Sequence, residues 1–268
     1  MQDTTETMPL SLPSKTLVMS ELLRATKETF TLPYKLVSLI HSTPAVEKVP
    51  VLLLPGYGGG DGSMFALKYA LKSIGCDTYD FNQGRNLESR NERIMRIEDA
   101  VRFRKKMSDL AVDRLHEIYN STGKKAVVVG WSMGGCYGLD ASQLAPQYIQ
   151  QVITLGSPFG DPRGTSMWKV MRKLSRSKVP VEDMDFNQWL SMCQVEENHV
   201  KLDVIYSEDD GIVSTDIAKL SENQANISHH KVKSSHIGFA VNHKAIKTVL
   251  HLVASHEHQE KVMETCRV

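Results

Sequence analysis

Ser132 lies at the centre of Gly130-Trp131-Ser132-Met133-Gly134, a G-x-S-x-G pattern. A serine hydroxyl is a poor nucleophile unless a base removes its proton and a third group orients that base. Downstream residues supply both, in the order serine, acid, histidine. The acid lies in Tyr206-Ser207-Glu208-Asp209-Asp210-Gly211, with Asp210 preferred over Asp209 and Glu208. The base is His236 in Ser234-Ser235-His236-Ile237-Gly238. Such a set attacks acyl carbonyls, and the oxyanion that forms needs two preorganised N–H donors. One is expected from Met133, the residue after the serine. The other is expected from the loop Pro55-Gly56-Tyr57-Gly58-Gly59-Gly60, with Tyr57 first and Gly58 second.

Blander readings compete with each element. A glycine-flanked serine can simply cap a helix. The chain has ten histidines, and His229, His230, His243, His251, His256 and His258 also follow the serine. His236 is preferred for its place in a loop between a short strand and the last helix. The loop at 55–60 fails as a dinucleotide fingerprint, because Asp61 or Ser63 stands where the last glycine belongs. No Gly-Lys-Ser/Thr and no His-Glu-x-x-His occurs, and Cys76, Cys136, Cys193 and Cys266 fit no zinc spacing, so neither metal nor cofactor is implied. The cysteines read as free thiols in a reducing compartment.

These residues need a frame to bring them together. Val51–Leu54 and Ala126–Val129 are short apolar runs that suit strands buried on both faces. Further strands are expected at 77–81, 152–155, 202–206 and 231–232, and helices at 63–74, 94–120, 133–145 and 243–254. This alternation predicts an α/β fold, a mostly parallel sheet with helices on both faces. The serine then sits on the sharp turn between a strand and a helix, the setting of a nucleophile elbow. Acids at the carboxyl end of a strand reach the same rim.

Three regions are expected: residues 1–47, a main domain at 48–256 and a tail at 257–268. Met19, Leu22, Leu23 and Phe30, then Leu36, Val37 and Ile40, predict two short amphipathic helices interrupted by Pro33. They would pack on the domain, or else touch a membrane surface or a partner. Residues 157–200 break the alternation and hold four of the twelve methionines and two of the three tryptophans. A small helical lid over an acyl pocket is expected there, with Trp131, Trp168 and Trp189 as substrate contacts. Its basic residues, Lys169, Arg172, Lys173, Arg176 and Lys178, would meet an anionic group or form a solvated face.

The chain has 268 residues and a net charge of +1, which argues against a large electrostatic footprint for nucleic acid or acidic membrane lipid and leaves room only for a local patch. The N-terminus has no signal-peptide pattern and no run approaches a membrane span, so a cytoplasmic protein is expected.

Leu54-Pro55-Gly56-Tyr57, the elbow with Gly135, Leu155-Gly156-Ser157-Pro158-Phe159, Asp210-Gly211-Ile212-Val213 and Ser235-His236-Ile237-Gly238 resemble the lipase and esterase type of α/β-hydrolase. The resemblance runs from about residue 48 to 254. Gly84-Arg85-Asn86-Leu87 also looks like a loop of uncharacterised bacterial members with an L-P-G-[FY] opening. The resemblance implies a serine hydrolase of carboxylic esters that needs no cofactor, and it favours Asp210, which precedes Gly-Ile-Val; it says little of the substrate, for which the composition of residues 157–200 suggests a small ester with an apolar acyl chain. Pro55-Gly56 stands where the family more often has His-Gly. Thioesterase or acyltransferase chemistry on the same triad, or a non-catalytic scaffold, are the rivals.

Overall fold

The computed structural model describes residues 10–88, 93–174, 177–195, 200–221 and 226–265. Six strands form one parallel sheet: β1 (Pro50–Leu54), β2 (Asp77–Asp80), β3 (Ala126–Trp131), β4 (Ile149–Leu155), β5 (Lys201–Tyr206) and β6 (Ile227–Lys231), in the order β2-β1-β3-β4-β5-β6. The register pairs Val51 with Val127 and Leu52 with Val128. Successive side chains point to opposite faces. Val51, Leu53, Val127 and Val129 therefore pack on one face, with α1 (Lys15–Ser42), α2 (Phe65–Ser73) and α7 (His243–Thr265). Leu52, Leu54, Val128 and Val152 pack on the other, with α3 (Ile97–Thr122) and α4 (Met133–Leu144). Between β1 and β3 the order of strands reverses, and loops leaving such a point diverge to form a crevice.

Between β4 and β5 the chain makes two short helices, α5 (Met167–Leu174) and α6 (Asn187–Ser191). Met184, Phe186 and Trp189 of this insertion pack on Ile97 and Val101 of α3. Arg104 anchors it further. Its buried guanidinium reaches Asp140 of α4 at 2.7 and 2.9 Å and donates to the Met192 carbonyl at 3.0 Å.

Three expectations need correction. Residues 17–41 form one helix, α1, with Pro33 inside it. Leu32 and Leu39 anchor it on either side of the proline, and this packing outweighs the lost backbone bond. Met19, Leu22, Leu23, Phe30 and Val37 face solvent, while Glu21, Ala25, Leu32 and Leu39 are buried. Last, α7 continues past residue 254 to Thr265, because 255–265 contains no glycine or proline to stop it. Cys76 and Cys136 are buried and Cys193 is half-buried; Cys266 and Arg176 lie outside the described residues.

Candidate active site

Ser132 follows β3 and caps α4 with φ 54° and ψ −121°. Positive φ in a residue with a Cβ stores about 1–3 kcal/mol of strain. The surrounding glycines make the turn possible. A Cβ at position 130 would run into the Gly134 carbonyl, and one at 134 into the Leu54 carbonyl. The Ser132 N–H donates to the Leu155 carbonyl at 2.8 Å, which ties the turn to β4.

His236 Nε2 lies 3.0 Å from Ser132 Oγ, and its Nδ1 lies 2.7 Å from Asp210 Oδ2. An ionised carboxylate only accepts, so Nδ1 carries a hydrogen. In neutral imidazole that leaves the Nε2 lone pair facing the serine hydroxyl. The other Asp210 oxygen accepts the N–H groups of Ile212 and Val213 at 2.7 and 2.8 Å. Glu208 is exposed and pairs with Lys231 at 2.5 Å, and Asp209 offers its carbonyl to Arg24, so Asp210 is the acid that reaches the imidazole. Two of the other candidate histidines have different partners: His230 meets Asp203, and His243 meets Lys35.

Burial pushes the His236 pKa down, but the Asp210 charge and hydrogen bond, with help from Glu21, outweigh it and raise the net value above the ordinary 6.5. Trp131 holds the same loop by donating its indole N–H to the His236 carbonyl at 3.0 Å.

Three positioning residues carry no motif. Glu21 of α1 lies between the acid and histidine loops. One of its oxygens accepts from Ile237 N at 2.8 Å, the other from Gly211 N at 3.0 Å and Arg24 Nη2 at 2.9 Å. Burial raises its pKa, and the nearby Asp210 charge adds to this. Glu28 accepts from Ser235 Oγ at 2.6 Å, Ser235 N at 3.0 Å and Asn242 Nδ2 at 2.9 Å. Buried Asn86 holds the loop at 55–60: its amide donates to the Pro55 carbonyl at 2.9 Å, its carbonyl accepts Gly58 N at 2.7 Å, and Tyr137 donates to its side chain at 3.0 Å. The only hint of these roles was the resemblance of residues 84–87.

The loop at 55–60 runs beside the serine; a Cβ on Gly56 would sit 3.1 Å from that of Ser132. The Tyr57 phenol donates to Glu88, and burial and this carboxylate push its pKa up. A cavity of about 350 Å³ opens over Ser132 and His236. Its walls are mostly apolar and include Phe103, Trp131, Met167, Trp168, Met171 and Trp189. Trp189 is buried, with its indole donating to the Gly160 carbonyl at 3.0 Å, so it also supports the insertion. Of the basic residues there, Arg172 lines the cavity, and Lys169, Lys173 and Lys178 are exposed.

No family model and no curated protein matches the sequence. Solved structures do resemble it. The mature lipase BlEst2 of Bacillus licheniformis has a TM-score of 0.56 at 17% identity, over 80% of this chain and 95% of that one. A lipase-esterase related protein of Clostridium acetobutylicum ATCC 824 has a TM-score of 0.55 at 13% identity, over 78% and 96%. The monoacylglycerol lipase of Paleococcus ferrophilus has a TM-score of 0.53 at 14% identity, over 80% and 97%. The chain has the α/β-hydrolase fold. Within this fold, Ser132, Asp210 and His236 sit on loops that follow β3, β5 and β6, all at the carboxyl edge of the sheet.

Proposed function

We propose that this protein is a serine hydrolase of carboxylic esters. The observation that carries the reading is the chain of contacts from Ser132 Oγ through His236 to Asp210 at the floor of an apolar cavity. His236 Nε2 takes the Ser132 proton as Oγ attacks the ester carbonyl. Asp210 holds the imidazole in the right tautomer and stabilises its cation. The N–H groups of Met133, at the N-terminus of α4, and of Tyr57 hold the oxyanion. The alcohol leaves with the proton from His236, and water, deprotonated by the same imidazole, releases the acid. The insertion between β4 and β5 is the lid, and Trp131, Trp168 and Trp189 wall the acyl site. The names of the similar structures, lipases and an esterase-related protein, support the same chemistry.

Hydrolysis of p-nitrophenyl esters of graded length tests it. Wild type is expected to cleave them and Ser132→Ala to lose about 10⁴-fold or more in kcat. Activity retained in Ser132→Ala overturns the reading. Faster cleavage of thioesters, or transfer to an added alcohol in place of water, moves the assignment to thioesterase or acyltransferase.

A further inference from the structure

Helix α1 is amphipathic in the wrong direction for a helix that only packs on a domain. Met19, Leu22, Leu23, Phe30, Tyr34 and Val37 are each between 63% and 88% exposed. Their spacing puts them on one face, opposite the buried Glu21, Ala25, Leu32 and Leu39. From Met19 to Val37 the stripe runs about 27 Å at 1.5 Å per residue. Exposed apolar surface of this kind marks an interaction site.

Charge says what covers it. The acids of α1 are turned inward: Glu21 is buried against Ile237 and Gly211, and the Glu28 carboxylate is taken up by Ser235 and Asn242. Exposed Lys15 stands one turn before Met19 on the same face, and exposed Lys27 lies at the edge of the stripe, one turn after Leu23. The opposite, buried face of α1 adjoins the cavity loops. Ile237, bonded to Glu21, lines the cavity and is itself 41% exposed, and a Cβ on Gly211, next to the cavity residue Ile212, would touch the Leu17 carbonyl. Across the cavity, α5 contributes exposed Val170 with Lys169 and Lys173 and has no acid.

We propose that the outer face of α1 seats the protein on an anionic lipid surface, with Met19, Leu22, Leu23, Phe30, Tyr34 and Val37 in the interface. Apolar residues over a cationic border are the pattern of helices that lie in a bilayer interface. A second copy of the chain would bring the same lysines and no exposed acid of α1 to the contact, whereas anionic headgroups neutralise them. The placement makes sense of an apolar-ester site, yet binding itself does not depend on the hydrolase reading.

Flotation of the full chain with vesicles tests this, using the Ser132→Ala background so that nothing is turned over. The protein is expected to float with phosphatidylcholine–phosphatidylglycerol vesicles and less with phosphatidylcholine alone. Leu23→Ser with Phe30→Ser should weaken partitioning about 100-fold, roughly tenfold for each lost apolar anchor. Lys15→Glu with Lys27→Glu should remove the preference for phosphatidylglycerol, about fivefold for each lysine. All four positions are exposed, so the thermal unfolding midpoint serves as a folding control. Three results overturn the proposal: no flotation by a folded protein; flotation indifferent to the Leu23 and Phe30 changes; or a dimer in sedimentation that those changes dissociate, which makes the face a self-interface. Because catalysis is disabled throughout, failure here is separate from failure to cleave esters.

Discussion

Glu21→Gln probes the tie between α1 and the reacting residues. The carboxylate accepts three donors: Ile237 N at 2.8 Å, Gly211 N at 3.0 Å and Arg24 Nη2 at 2.9 Å. An amide keeps one accepting oxygen, and its nitrogen must face a donor. The cheaper orientation keeps Gly211 and Arg24 and gives up Ile237. A hydrogen bond to a charged group is worth about 1.5–3 kcal/mol. Relief from burying the charge, which already raises the Glu21 pKa, offsets part of that. A net loss of about 2 kcal/mol lowers the melting temperature by roughly 4–8 °C in a chain of this size. Catalysis should register the change separately. The Glu21 charge helps to raise the His236 pKa, so the acid limb of kcat/KM against pH moves to lower pH in the variant. The plateau should fall by about tenfold, short of the ~100-fold that a 1 Å misplacement brings. The assay is calorimetry together with the pH profile for a soluble short-chain ester. An unchanged melting temperature with an unchanged acid limb would refute the bridging role; a lower melting temperature alone would reduce Glu21 to a structural part.

Asn86→Ala frees the loop carrying Tyr57 and should lower kcat more than it raises KM, by about tenfold or more but less than the 10²–10³ of a lost oxyanion donor; equal effects on both constants would contradict this. Trp168→Ala should cost long-chain esters about 10–100-fold in kcat/KM while sparing acetate esters, from the ~1.5–3 kcal/mol of a large apolar contact, and uniform losses would sink the acyl-pocket assignment. Folded His236 holds its proton more tightly than the unfolded chain does, so it stabilises the fold fully below pH 6.5 and this is lost as pH rises through the raised value. Denaturant titrations of wild type and His236→Gln should therefore converge as pH rises above 6.5, and parallel curves would count against it.

Local patterns carried much of the reading. The G-x-S-x-G pattern is legible because its glycines answer to contacts a few residues away, and the parallel sheet because strands buried on both faces read as apolar runs. Asp210 and His236 were legible through chain order and position at strand ends. Glu21, Glu28 and Asn86 were not, since a buried polar residue is defined by partners far along the chain. The α1 stripe misled for a related reason. Periodicity shows that a helix has an apolar face but not which way it turns, and in α1 the carboxylates of Glu21 and Glu28 face inward with Leu32 and Leu39. Pro33 likewise marks a local preference that packing overrides.

The central claim is that Ser132 is an activated nucleophile. A fluorophosphonate probe reacts with such a serine, and mass spectrometry maps the site. Wild type should carry the adduct on Ser132, while folded Ser132→Ala and His236→Ala remain unlabelled. A folded wild type that stays unlabelled with and without lipid vesicles, or an adduct on another residue, would contradict the account.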